Sequence, residues 1–336
     1  MSDTSIETHT QAHKPAQRAS QARQKMLAFA SLVALVVIFS VLKPEAFLNQ
    51  DNFMGILQST AVNGVLAIAC TFVIITAGID LSVGVLMTFC AVIAGVLMVK
   101  LGLPMWLGIV GCICAGAVSG WVSGMVITKL RVPPFIATLG LMMLLKGASL
   151  IITEAHPIYF NDVEGFDTIS LDSLIGSLIP VLPIPNGVLI LFVVAVLSAV
   201  VLNKTVLGRY AFALGSNEEA VRFSGVNVDR WKIAIYMLSG GICGIAGLLI
   251  ASRLNSAQPA LGQGYELDAI AAVVIGGTSL SGGVGTIVGT LIGAFIMSVL
   301  INGLRIMSVA QEWQMVLTGI IIILAVYTDN LRRKDA

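Results

Sequence analysis

Residues 203–232 read NKTVLGRYAFALGSNEEAVRFSGVNVDRWK, a stretch with five bases (Lys204, Arg209, Arg222, Arg230, Lys232) and three acids (Glu218, Glu219, Asp229). The runs on both sides are apolar, so this island belongs in water while its neighbours belong in hydrocarbon. Its own chemistry predicts order. Gly208 and Gly215 punctuate it, Ser216 or Asn217 can cap a helix, and Glu218, Glu219, Ala220, Val221 and Arg222 supply its first turns, with Gly225 as the stop after about two turns. A short capped helix on an aqueous loop suits docking of a soluble partner. A plain solvated connector has the same composition but no need of defined caps.

Outward from this island, the 336-residue chain is 57% hydrophobic and 11% charged, with a mean hydropathy of +0.95. Soluble domains carry about a quarter charged residues, so the composition excludes one and predicts an all-α polytopic membrane protein in contact with lipid. The net charge of +1 by itself says nothing about nucleic acid, because what matters is where the charges lie; no nucleic acid is expected as a partner. Cys70, Cys90, Cys112, Cys114 and Cys243 all fall in apolar runs, where they read as packing residues and not as disulfides or metal ligands.

Residues 1–25 form a polar stretch expected to be a disordered cytoplasmic tail, and 331–336 a second tail. The membrane-embedded body between them, 26–330, begins with an uncleaved anchor at 26–42, because Lys43, Pro44 and Glu45 offer no cleavage site. Nine further apolar runs lie near 62–78, 83–99, 103–128, 133–152, 187–202, 233–251, 268–282, 284–302 and 313–328. About ten spans put both termini on one side. Counted from a cytoplasmic start, fourteen Lys and Arg fall on inner segments and four on outer ones, with Lys146 inside a span. The positive-inside rule therefore makes both termini and 203–232 cytoplasmic.

The outer loop 153–186 holds Glu154, Asp162, Glu164, Asp167 and Asp172, no Lys or Arg, and Pro157, Pro180, Pro183 and Pro185. It reads as a shaped cap with a short helix or as a solvated loop. Small residues recur every fourth position at Gly108, Cys112, Gly116, Gly120 and Gly124, and again at Gly285, Gly289 and Gly293. Gly240, Gly244 and Gly247 repeat the pattern, which predicts close helix packing.

Two hairpins share the pattern GxxLSxG, one at 78–84 with Asp80 and Ser82, the other at 277–283 with Thr278, Ser279 and Ser281. Breaks of this kind expose backbone to a polar cavity in transporters. Asp80 is either a path carboxylate or, as preferred, a cap for the next helix through the amide of Ser82 or Val83. Lys146 can snorkel, line a path or pair with a carboxylate. Arg253, Asn255, Ser256, Gln258, Tyr265, Glu266 and Asp268 make a polar outer mouth. No Walker A sequence, HExxH, GxSxG or CxxC occurs, and His9, His13 and His156 form no cluster, so no catalytic centre, cofactor site or metal site is expected.

Four stretches in order, TAGIDLSVG (76–84), VPPFIATLG (132–140), LGRYAFALGSNEEAVRFSGVNV (207–228) and SAQPALGQGYELDAIAAVVIGGTSLSGG (256–283), closely resemble the permease subunits of bacterial carbohydrate ABC importers, ribose-type branch. The likeness spans about 45–330. It implies a non-enzymatic, multi-pass inner-membrane subunit carrying a ribose-like sugar, paired with a second copy or a paralogue. It also implies a cytoplasmic ATP-binding subunit that holds ATP and Mg, and a periplasmic sugar-binding protein. By the same resemblance Gly208, Arg209, Gly215, Asn217, Glu218, Glu219, Ala220 and Gly225 form the coupling loop that sits in the ATPase. That loop is similar to the EAAxxxG loop of other importers, except that Ala220 and Gly225 are five apart instead of four. Glu154, Asp162, Glu164, Asp167 and Arg253 are then docking candidates for the sugar-binding protein, while Asp80, Ser82, Lys146, Gln258, Tyr265, Glu266, Asp268, Thr278, Ser279 and Ser281 are path candidates. The rival from another class is an ion-coupled secondary transporter of a small polar solute, with Asp80 and Lys146 as the relay.

Overall fold

The computed structural model of the protein describes residues 13–178 and 183–334; the first twelve residues of the polar tail, Pro180 and the last two residues lie outside the described residues. The chain runs through α1 (His13–Leu42), α2 (Pro44–Phe47), α3 (Gln50–Ile75) and α4 (Val83–Gly95), which continues as a π-helical turn over Val96–Lys100. Then come α5 (Met105–Lys129), α6 (Pro134–Thr153), β1 (Ile158–Tyr159), α7 (Leu174–Leu178), α8 (Asn186–Lys204), α9 (Val206–Phe223) and α10 (Val228–Leu254). β2 (Ser256–Ala257), α11 (Tyr265–Ile275), α12 (Ile287–Ile306) and α13 (Gln311–Lys334) complete it.

Among the described residues seven helices are long and apolar enough to cross a membrane: α3, α4 with its π turn, α5, α6, α8, α10 and α12. The apolar parts of α1 (Met26–Leu42) and α13 (Gln311–Leu324) are shorter. The expected span at 268–282 is corrected: α11 has eleven residues and stops at Ile275. Gly276 and Gly277 end it, the latter at φ +89°, and Gly282 and Gly283 (φ +84° and +75°) keep the chain irregular until Thr286 caps α12.

Two starts also move. α1 begins at His13, inside the stretch expected as disordered tail, where Ala, Gln, Lys and Arg are good helix formers. α3 begins at Gln50 instead of near 62, because Asn49 Oδ1 accepts the Asp51 amide at 3.0 Å and an acid suits the first turn.

α3 is the axis of the bundle, buried from Thr60 to Ile75 and packed by α10, α4, α12, α11 and α8. Polar groups at its surface find partners across helices. Ser239 Oγ donates to the Ala69 carbonyl at 3.1 Å, and the Thr71 and Thr290 hydroxyls bond to each other at 2.7 Å. The strongest pairing is α5 with α10, where the predicted small residues interlock. A Cβ on Gly116 would overlap the Gly240 carbonyl oxygen, one on Gly120 that of Tyr236, and one on Gly124 would stand 2.7 Å from Ile233 Cα. The two backbones thus touch along their length.

The described parts of the loop, 153–178 and 183–186, form a shaped cap. β1 pairs antiparallel with β2, Ile158 opposite Ala257, and Phe160 stacks on Phe166 with centroids 4.0 Å apart. Asn255 Nδ2 donates to Asn161 Oδ1 at 2.9 Å, and Ser252 Oγ donates to the Asp167 carbonyl and accepts the Ser170 amide. Glu154, Asp162, Glu164 and Asp167 are exposed on it, and Arg253 lies beside it, half-buried.

Candidate functional site: two helix breaks and the polar island

The polar island forms a bent helix. Asn217, at φ −162° and ψ 97°, interrupts α9 and divides it into an inner arm, 206–216, and an outer tip, 218–223. The tip is built as its residues require. Asn217 Oδ1 accepts the Ala220 amide at 2.9 Å, and Gly225 at φ +80° takes the left-handed turn just past its end. Glu218 receives Arg222 at 3.1 Å and Lys232 at 2.6 Å, tying the tip to the start of α10. Glu219, Ala220 and Arg222 are exposed, and Phe223 is 89% exposed. Sequence reasoning missed Phe223, although one large apolar residue in a polar run was a signal.

Gly208 and Gly215 do not punctuate the island; both lie inside the inner arm, at points of close approach. A Cβ on Gly208 would overlap the Leu202 carbonyl oxygen, and one on Gly215 that of Ile75. Arg209 is exposed on the same arm.

Beneath the inner arm lie the two breaks that carry GxxLSxG. At the first, Asp80 is buried and its Oδ1 accepts the Ser82 amide at 2.8 Å and the Ser82 hydroxyl at 2.6 Å. Asp80 thus takes the Ser82 amide, one of the two the capping alternative named, while the N-cap of α4 is Ser82 itself, which makes no side-chain cap bond. Thr138 Oγ1 of α6 receives the Leu81 amide at 3.2 Å and so pins the break from the side. At the second, Ser279 and Thr278 are buried and Ser281 is exposed. The two breaks meet directly: the Gly283 amide donates to the Ile75 carbonyl at 2.9 Å.

A cavity of about 370 Å³ opens between the first break, the α9 bend and the ends of α5, α6 and α10, lined by Gly78, Ile127, Pro134, Ser216, Lys232 and Tyr236 among others. Tyr236, not anticipated from the sequence, is buried in its wall with a hydroxyl that has no hydrogen-bond partner.

The outer-mouth residues divide. Tyr265 and Asp268 line a separate cavity of about 620 Å³ with Gln263, Arg305 and Gln314, between α11, α12 and α13. Glu266 is buried; its carboxylate accepts the Gly264 amide at 3.0–3.1 Å and packs where a Cβ on Gly84 would fall. Gln258 turns away to donate to Ser256 Oγ at 3.2 Å. Lys146 pairs with a carboxamide and not with a carboxylate: its Nζ donates to Gln263 Oε1 at 2.7 Å. Among the described residues no group of three or more His, Cys, Asp or Glu is placed to hold a metal ion.

Residues 52–326 match the family model described as branched-chain amino acid transport system / permease component. The ribose import permease protein of Haemophilus influenzae is 43% identical over 303 residues, covering 90% of this chain and 92% of that protein. The ribose import permease protein of Bacillus subtilis is 43% identical over 315 residues, covering 93% and 94%. The fructose import permease protein of Rhizobium meliloti is 37% identical over 309 residues, covering 91% and 85%. No solved structure matches the chain. With a family match over most of its length and relatives this similar from end to end, the chain belongs to the permease-component family of these transport systems, as a multi-pass membrane protein of the ribose-type carbohydrate branch.

Proposed function

We propose that this chain is the membrane-spanning subunit of an ATP-driven importer that passes a ribose-like sugar into the cell. Carrying the proposal is its near end-to-end likeness to proteins named ribose import permeases. In this reading the protein sits in the bacterial inner membrane with about ten crossings, the short α11 and the irregular chain after it together making one of them, and both termini cytoplasmic; two permease subunits, two copies or a copy and a paralogue, form the path between them. The exposed 218–223 tip enters a groove of a cytoplasmic ATP-binding subunit that supplies ATP and Mg, with Phe223 as its apolar anchor. The exposed acids of the outer cap, with Arg253 beside them, meet a periplasmic sugar-binding protein.

The local chemistry supports a permease that moves by its packing. Asp80 is engaged by Ser82, and Lys146 by Gln263. Each has a neutral partner and no ion pair joins the two among the described residues, so the relay reading gains no support from their geometry. Alternating access comes from rigid helices turning about irregular joints, and the two breaks lie where such joints are useful.

The test is reconstitution in vesicles, alone and with its ATP-binding and sugar-binding partners. Ribose uptake should require all components and ATP. Uptake by the chain alone, driven by a proton or sodium gradient, would reject the reading.

A further inference from the structure

The inner arm of α9 ends in a three-way contact made by backbone alone. A Cβ on Gly215 would overlap the Ile75 carbonyl oxygen and stand 2.5 Å from the Gly283 nitrogen. That same carbonyl, at the end of α3, accepts the Gly283 amide at 2.9 Å. A Cβ on Gly282 would stand 2.8 Å from the Ala77 nitrogen and 2.9 Å from Gly215 Cα; one on Gly283 would stand 3.2 Å from Ser216 Cα. Three segments far apart in sequence, 75–77, 215–216 and 282–283, therefore meet with no room for a side chain between them.

Side chains between moving parts give slack, because they can change rotamer before they push. Backbone in van der Waals contact cannot, since close-packed groups pass displacement to one another directly. From this geometry we infer that Gly215 is a positioning residue for transport: with Gly282 and Gly283 it clamps the inner arm of α9 to both helix breaks, so the three move as one body. The inference rests on the ATP-driven reading above. It adds where the work is delivered: a push on α9 reaches the end of α3 and the entry to α12 at once. The 370 Å³ cavity gives this body somewhere to go, because the clamp forms one wall of it (Thr76, Ala77, Gly78, Gly215, Ser216) and α5, α6 and α10 form another through Ile127, Pro134 and Tyr236.

The experiment uses the full complex in vesicles, with spin labels on pairs of cysteines in a chain whose five native cysteines are replaced by alanine. Arg209, Ser281 and Leu130 are exposed and serve as label sites on the inner arm, the second break and the end of α5. Between the resting and the ATP-trapped states, the Arg209–Ser281 distance should stay constant while the Arg209–Leu130 distance shifts. A change in Arg209–Ser281 as large as that in Arg209–Leu130 would overturn the clamp.

Gly215→Ala gives a second readout. Its Cβ must push the Ile75 carbonyl aside, so assembly is checked first by co-purification with the ATP-binding subunit; in the assembled complex uptake should fall at least tenfold while sugar-stimulated ATP hydrolysis falls by much less. Uptake and hydrolysis falling in equal proportion, or both unchanged, would reject the positioning role. If instead the unmodified complex shows no ATP-dependent uptake, the functional reading itself fails, and that result is independent of the label distances.

Discussion

The α5–α10 pair and the junction of α9 with the two breaks both depend on missing side chains, yet they do opposite things. Along α5 and α10, glycines four apart let two regular helices touch through several turns, so contacts repeat and support one another. At the junction a single helical residue, Gly215, meets both the end of α3 at the Ile75 carbonyl and the irregular backbone at Gly282 and Gly283. Repetition makes the first a weld. Convergence makes the second a joint that can be driven from one point.

The largest effect expected from this contrast comes from the weld. Gly116→Leu forces a branched side chain into the Gly240 carbonyl, where no rotamer relieves a clash with backbone. It should cost about 3 kcal/mol or more and remove folded protein from detergent extracts, as read by size-exclusion profile and thermal melting. A monodisperse variant with an unchanged melt would mean the helices can part freely.

Phe223→Ala tests the joint from its driven end and leaves the weld alone. Its side chain is exposed in the isolated chain, so folding should be unaffected. Affinity for the ATP-binding subunit should drop about tenfold or more if it is an anchor, measured by titration in detergent. Equal affinities would move the docking contact elsewhere on the tip.

Asp80→Asn should have a smaller effect. The side-chain carbonyl oxygen of Asn can still accept the Ser82 amide and hydroxyl, so uptake should remain within about threefold of wild type, the weakening of a charge-assisted hydrogen bond to a neutral one. Complete loss of uptake in a normally assembled complex would make the charge itself part of the path.

Gly140→Ala marks the bottom of the scale. This glycine lies in α6 with nothing within 4 Å of a Cβ position. Alanine there should shift stability by no more than about 1 kcal/mol, in the favourable direction for a helix, as read by the same melt.

Much of the weld was legible in advance, because its signal is periodic: Gly116, Gly120 and Gly124 sit every fourth position, and that spacing is the contact. The Asn217 cap and the Gly225 stop were legible for a similar reason, each being a local backbone requirement met by a characteristic residue. The junction was not. Ile75, Gly215 and Gly283 are far apart along the chain, and a glycine within a helix looks the same in sequence as a glycine at a turn. Gly208 and Gly215 were therefore read as punctuation. The likeness of the two GxxLSxG stretches was visible, but nothing local indicated that the second would bond to the end of α3, just before the first. The break after α11 was itself visible at 277–283, and the span drawn to 282 ran through it although the apolar run ends at Ile275.

The two-residue ladder between β1 and β2 bears on how such proteins can be recombined. The acidic cap is stitched by main-chain hydrogen bonds, and by Asn161, Ser170 and the Asp167 carbonyl, to the chain that leaves α10. A chimera that grafts the cap from another permease would have to bring Ser252, Asn255 and the Ser256–Ala257 strand with it, although these lie some seventy residues or more downstream. Grafted without them, the cap would lose its seam, and the recipient's outer rim would stand open.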